Sequence, residues 1–367
     1  MARRAERPQA DEDGHVATTY DALLLVSFGG PEGPDEVVRF LERVTAGRGI
    51  PRERLAEVGE HYFRFGGVSP IQAQNRRLLA ALRATLPVPV YWGNRNSRPF
   101  LADTVREMRA DGVRRAAAFV TSAYSSYSGC RQYREDIARA QAEVGEGAPA
   151  VDKLRVFHDH PGFVEPFVDG TAAALAEAGP GARLVFTAHS VPASMAATSA
   201  YEAQLLATAG IIADRLGHRQ AWDLVWQSRS GPPQVPWLEP DVNDHLRELY
   251  ADGVRAVVLV PIGFVSDHME VVFDLDTEAV QTAATLPGLT LMRATTPATE
   301  PDQRFVAMVG ELLTERAQAW PAAERPTLWP ERGPCHDVCP LDCCPAPTRP
   351  GVLRGDPLGQ VPVSARE

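Results

Sequence analysis

The sequence predicts an α/β protein made of two similar doubly wound halves, each a parallel sheet covered by helices. Three observations carry this. Short apolar runs alternate with helix-patterned stretches through most of the chain. The runs are continuous rather than alternating, as in strands buried on both faces. Finally, Ala110-Asp111-Gly112-Val113-Arg114 recurs as Ala251-Asp252-Gly253-Val254-Arg255, each copy ending a helix at Gly and entering an apolar strand.

Taken in order, strands are expected at 22–28, 88–92, 114–121, 154–157, 183–188, 222–226, 254–260 and 289–293. Helical patterns fall at 35–44, 70–85, 100–110, 131–143, 163–178, 199–216, 241–251 and 302–319. The polar, mixed-charge stretch 1–18 reads as a disordered leader. The first half then runs over 19–150 and the second over 151–321, the connection beginning near Glu143–Pro149. Residues 322–367 form a Pro- and Gly-rich extension without periodicity, which needs an anchor other than an apolar core.

At 367 residues, 44% hydrophobic and 23% charged, the chain has the length and composition of a two-domain globular protein. A net charge of −10 and the lack of a basic run with interleaved aromatics argue against a nucleic-acid partner. No stretch approaches the ~18 apolar residues of a membrane-spanning helix, and the N-terminus lacks a signal peptide's apolar core. A cytoplasmic location is expected. Five cysteines, unevenly placed, do not suggest a secreted disulfide framework.

The stretch 259–278, LVPIGFVSDHMEVVFDLDTE, dominates the chemistry. A buried strand breaks at Pro261 and Gly263 and launches a helix on which Glu270, Asp274 and Glu278 sit at i, i+4 and i+8. Like charges so spaced destabilise a helix, whereas hard oxygen ligands in file suit a divalent cation. The alternative is a solvated acidic face. Ligands of open α/β sheets gather at the carboxyl ends of strands, where this row begins. His189 ends the apolar strand of VFTAHSVP (185–192), in the same half, and imidazole there suits a base or a metal ligand near neutral pH. No G-x-S-x-G elbow surrounds Ser190.

In the first half, Ser27-Phe28-Gly29-Gly30-Pro31 follows the first strand and lets backbone approach a planar or anionic ligand, without forming a G-x-G-x-x-G dinucleotide motif. Ser69, before a helix, reads as an N-cap or a carboxylate donor. The hydroxyl-rich SAYSSYSGCRQY (122–133), with Tyr124 and Tyr133, reads either as capping and turn chemistry or as the lining of an aromatic slot. Cys335, Cys339, Cys343 and Cys344 crowd the tail, with Cys130 far upstream; zinc and an iron–sulfur cluster are both open on spacing, though no C-x-x-C pair occurs.

LLLVSFGGP (23–31), GGVSP (66–70), FTAHSVP (186–192) and GFVSDHMEVVFDLDTE (263–278) together resemble the ferrochelatases, most closely their actinobacterial type, over about 20–320. The resemblance implies two Rossmann-like (flavodoxin-like) halves of the class II chelatase type, with a porphyrin in the cleft between them. It matches His189 to the active-site histidine, Glu270 to its acidic partner, both toward the substrate Fe²⁺, and Asp274 and Glu278 to a metal or proton relay. It implies coproporphyrin III as substrate, and a [2Fe–2S] cluster on Cys130, Cys339, Cys343 and Cys344, with Cys335 the spare thiol or alternative ligand. Phe28 stands where some relatives carry Tyr, and Ala46 where Arg is frequent. Phe28, Arg48, Tyr62, Ser69, Tyr124 and Tyr133 are the expected porphyrin-side residues, and a monomer is expected. Competing readings are a protoporphyrin or other tetrapyrrole chelatase, and a non-catalytic haem- or iron–sulfur-sensing protein.

Overall fold

The computed structural model describes residues 19–47, 51–218, 221–231, 233–340 and 342–346. The expected leader, Arg48 and residues 347–367 lie outside the described residues.

Strands β1 (Ala22–Ser27), β2 (Val90–Asn94), β3 (Arg115–Val120) and β4 (Ala150–Lys153) form one parallel sheet in the order β2-β1-β3-β4. Strands β5 (Arg183–His189), β6 (Trp222–Gln227), β7 (Ala256–Val260) and β8 (Thr290–Arg293) form another, in the equivalent order β6-β5-β7-β8. The first set of helices is α1 (Pro34–Val44), α2 (Arg52–Phe63), α3 (Ile71–Thr85), α4 (Leu101–Ala110), α5 (Gln132–Val144) and α6 (Pro161–Ala178). The rest are α7 (Ala193–Ala196), α8 (Tyr201–Arg215), α9 (Val242–Ala251), α10 (Met269–Phe273), α11 (Val280–Ala284) and α12 (Gln303–Gln318).

The repeated pentapeptide does the same job twice. It ends α4 and α9 with an Asp C-cap and a left-handed glycine, Gly112 at φ 80° and Gly253 at φ 92°, and feeds the third strand of each sheet. All six residues of β1 are buried, as the unbroken apolar run predicts. A continuous core joins Leu23 and Leu25 of β1, Leu184 and Phe186 of β5, and Phe305 and Leu312 of α12. Helix α12 packs on both α6 and α3, so the chain's last long helix returns to the first sheet's side.

Two local expectations differ from the structure. The fourth strand is Ala150–Lys153 rather than 154–157. Leu154, Val156 and Phe157 are apolar because they are buried beyond the ladder's end, and an apolar pattern reports burial, not pairing. The single helix expected after Gly263 is divided into α10, a π-helical turn Asp274–Ala279 and α11. Thr277 Oγ1 donates to the Val272 carbonyl, five residues back, at 3.2 Å, taking an acceptor from the α-helical ladder.

The described part of the tail is held by polar contacts. Arg155 forks onto Glu315 at 2.7 and 3.1 Å and reaches the Pro326 carbonyl at 3.1 Å. Arg325 pairs with Asp337 at 2.9 Å, both side chains buried. The Leu328 amide donates to the Asp159 carbonyl at 2.8 Å.

Candidate active site

The second sheet parts at its carboxyl edge between β5 and β7, the switch point at which doubly wound sheets bind ligands. His189 is the last residue of β5. The chain leaving β7 crosses directly over that strand end: the Gly263 amide donates to the Thr187 carbonyl at 3.1 Å. A Cβ on Gly263 would lie 2.6 Å from Ala188 Cα, so only glycine permits the approach. That approach delivers α10, and with it Glu270, to His189.

His189 Nε2 lies 3.6 Å from Glu270 Oε1, an ion-pair distance longer than a hydrogen bond. The side chains are 31% and 40% exposed, so the pair faces open space rather than packed apolar groups. The ring is oriented from behind by a close contact of Nδ1 with the Ser190 carbonyl, while Tyr201 Oη donates to the His189 carbonyl at 3.0 Å. Burial opposes charge on His189, but the Glu270 carboxylate outweighs it and raises the imidazole to about 9. For Glu270 burial favours the neutral acid, yet the charge on His189 wins and lowers it to about 2. His268, which caps α10 by accepting from the Glu270 amide at 3.3 Å, is lowered by burial.

Asp274 sits behind this pair, 9% exposed. Burial, then the charges of Glu270 and Glu278, raise its carboxyl to about 7 against the contrary pull of Ser228 and His189. Its Oδ2 accepts from the Ser228 hydroxyl and from Gln227 Nε2 at 3.3 Å. Ser228, with φ 61°, turns left-handed to make that contact. Glu278 is exposed. A pure α-helix would rotate it about 80° away from Glu270; the wider π-helical turn at Asp274–Ala279 advances less per residue and brings it back toward the line. Half-exposed Glu270, buried Asp274 and exposed Glu278 thus form a file from the pair outward.

The opposing wall belongs to the first half. Phe28, following β1, packs edge-on against Phe40 at 6.0 Å, and Phe40 against Tyr62 at 5.9 Å. Burial and the charges of Glu270 and Asp274 raise the Tyr62 phenol, so Tyr62 faces the carboxylate file. His61 stacks on Phe273 at 4.0 Å, which brings α2 against α10. No helix was expected at 52–63, where apolar residues are few; Leu55 is the buried anchor that packs α2 on Phe40 and Leu41 of α1.

Other expected residues fall elsewhere. Tyr124 is 2% exposed in the core, its hydroxyl on the Ile262 carbonyl at 2.9 Å and its ring against His158 and Tyr201, so it lines no slot. Ser69 is buried against Gly30, and Pro70 rather than Ser69 caps α3. Tyr133 is buried beneath Arg95, whose guanidinium lies 4.4 Å from its ring and 5.7 Å from that of Phe28. Arg95, paired with Asp136 at 2.5 Å, was not singled out from sequence. Nor were Gln227, Ser228 and His268, although Arg95, Gln227 and Ser228 lie at or just past a strand's carboxyl end, the position that marked His189.

Four thiols gather at the tail. Cys130, on a π-helical turn Tyr127–Arg131, interacts with Cys339 and Cys344; Cys343 Sγ lies 3.7 Å from Cys344 Sγ. Thiol donation from Cys339 and Cys344 lowers Cys130 and Cys343, favouring their thiolates. His336 Nε2 lies 3.9 Å from Cys343 Sγ, and the ligand atoms of His336, Cys339 and Cys343 are all within 4.8 Å of one another. Cys335 instead accepts from Gln204 Nε2 at 3.2 Å.

The sequence profile of the ferrochelatase family matches residues 20–317. The chain belongs to the ferrochelatase family. A coproporphyrin III ferrochelatase of Streptomyces griseus is 55% identical over 355 residues, covering 89% of this chain and 94% of that one. A coproporphyrin III ferrochelatase of Mycolicibacterium smegmatis is 52% identical, covering 88% and 99%, and a ferrochelatase of Rhodopirellula baltica 51%, covering 92% and 97%. Among solved structures, the cobalt complex of the sirohydrochlorin chelatase SirB from Bacillus subtilis subspecies spizizenii superposes with a TM-score of 0.51 at 12% identity, covering 84% of this chain and 100% of that one. At that identity the likeness speaks to the α/β chelatase fold. No described helix is long and apolar enough to cross a membrane.

Proposed function

We propose that this chain inserts ferrous iron into coproporphyrin III, releasing two protons and yielding iron-coproporphyrin for haem synthesis. The observation that carries the proposal is the His189–Glu270 pair, 3.6 Å apart and partly exposed at the switch point. Support for the substrate comes from relatives more than 50% identical that carry that name.

The reaction removes two pyrrole protons from one face of the ring and places a dication among the four nitrogens. His189 and Glu270 are the groups able to take a proton or hold the incoming iron there. As a charged pair they are matched to a neutral state: exchanging the imidazolium proton for Fe²⁺ restores a cation beside the carboxylate. Asp274, close to half-ionised near neutrality, and Glu278 at the surface provide a file along which protons leave or iron enters. Phe28, Tyr62 and Arg95 form the opposing wall, and flat aromatic surface suits a macrocycle. Anaerobic mixing of purified protein, coproporphyrin III and Fe²⁺ tests the proposal: iron-coproporphyrin absorbance must grow beyond one equivalent. Stoichiometric binding without turnover would instead favour a sensor.

The proposal extends to a [2Fe–2S] cluster on Cys130, Cys339, Cys343 and Cys344. Four converging thiols, two favoured as thiolates, fit such a group, which when bound supplies a one-electron couple. It would also cross-link the tail to the turn carrying Cys130. Zinc on His336, Cys339 and Cys343 is the second reading, favoured by their mutual 4.8 Å spacing. Metal analysis of the isolated protein separates the two: iron with sulfide and a brown colour, or colourless protein with zinc.

A further inference from the structure

A cavity of about 170 Å³ opens between α1 and the loop after β2, lined by Glu36, Arg39, Phe40, Arg43, Ser97, Arg98 and Phe100. Neither His189 nor Glu270 lines it. Arg39 and Arg43 stand one helical turn apart on α1, a spacing at which like charges repel. Arg98 faces them from the loop. The Phe100 ring gathers two of these cations, Arg43 at 5.0 Å and Arg98 at 5.9 Å, and Arg43 Nη1 is pinned to the Asn96 carbonyl at 3.1 Å.

The surrounding chain makes this concentration unusual. It holds 47 acidic against 37 basic residues, and other arginines nearby find carboxylates, such as Arg52 on Glu42 at 2.8 Å. Among the described residues, no carboxylate pairs with Arg39, Arg43 or Arg98 within 4.0 Å. The one acid in the lining, Glu36, is engaged with the Glu32 amide at 3.0 Å. The lining carries three cations against one anion, an excess of two positive charges.

We propose that this cavity is an accessory binding site for a compact dianion of the phosphate class, separate from the porphyrin cleft. Arginines from a helix and a facing loop that line one cavity suit the oxygens of a tetrahedral anion. The volume accommodates a compact anion such as one phosphate. A bound dianion neutralises the excess and bridges α1 to the loop after β2. Phe40 lies between the cavity and Phe28, so occupancy braces the back of the cleft's first-half wall.

The test is titration of inorganic phosphate into the porphyrin-free full-length protein at constant ionic strength, followed by calorimetry and thermal midpoint, with chloride as the control. Saturable binding of one phosphate is expected. Arg39→Gln and Arg98→Gln should each weaken it about tenfold, since each loses a charge-assisted contact. Glu36→Gln should tighten it, and Arg247→Gln, on the remote face of α9, should leave it unchanged. Phosphate must not displace coproporphyrin III measured by fluorescence. A shift equal to that of chloride, full binding by both arginine variants, or weaker binding by Glu36→Gln would overturn the site. Competition with the porphyrin would also overturn it and assign these guanidinia to the propionates. Should the arginine variants fail to fold, Glu36→Gln alone decides.

Discussion

Replacing Asp274 by Asn should make the protein more stable near pH 8 while impairing it as a catalyst, and the stability difference should depend on pH in a defined way. The carboxyl is raised from 3.8 to about 7 by burial and by Glu270 and Glu278. A carboxyl raised on folding costs nothing below its unfolded value. The cost grows from there and is complete above the folded value. Linkage puts it at about 2 kcal/mol near pH 5 and at most about 4 kcal/mol near pH 8. The Asn variant removes that cost, while its carbonyl still accepts from Ser228 and Gln227. Its new N–H donors need partners, and that penalty is about 1–3 kcal/mol but independent of pH. The reliable quantity is therefore the slope: the stability difference between variant and parent should increase by about 2–3 kcal/mol from pH 5 to pH 8 and then level off. Urea midpoints measured on both proteins at half-unit pH steps read it directly. A flat difference, or one largest at low pH, would refute the buried-carboxylate argument. A protein that keeps so costly a group does so for what the group performs.

Further outcomes follow from the same geometry. His189→Ala should cut iron insertion by at least about 100-fold while leaving the thermal midpoint close to the parent's, because the ring is partly exposed. With His189 raised to about 9 and Glu270 lowered to about 2, the imidazole must shed a proton before it accepts iron or a pyrrole proton. Insertion rate should thus climb from pH 6 toward 9, and Glu270→Gln should move that limb to lower pH in stopped-flow profiles. Cys335→Ser should retain visible charge-transfer absorption, and Cys339→Ser should lose it, in spectra of the isolated proteins. Tyr124→Phe should cost about 1 kcal/mol in chemical denaturation by orphaning the Ile262 carbonyl, with the KM for porphyrin unchanged.

The sequence by itself determined the α/β class, the duplicated halves and the chemistry of the site's second half. Unbroken apolar runs mark segments covered on both faces, most of which here are strands, and a helix stop at Asp-Gly is local chemistry, so both are readable along the chain. His189 could be singled out because it ends such a run, and Glu270 because it opens an acidic row on the helix launched after another. Tertiary structure alone decided the rest. Tyr124 and Ser69 carry the same hydroxyls whether they face a ligand or a core, and only packing against Tyr201 and Gly30 tells which. Three of the tail's four thiols converge with Cys130 while Cys335 is held instead by Gln204 on α8, a contact 131 residues distant in sequence. The acidic row is bent into line by a π-helical turn that no periodicity announces, since it arises where a threonine hydroxyl competes with the backbone for one carbonyl. Local propensity is written residue by residue; which face a side chain shows to which neighbour is settled only when distant segments meet.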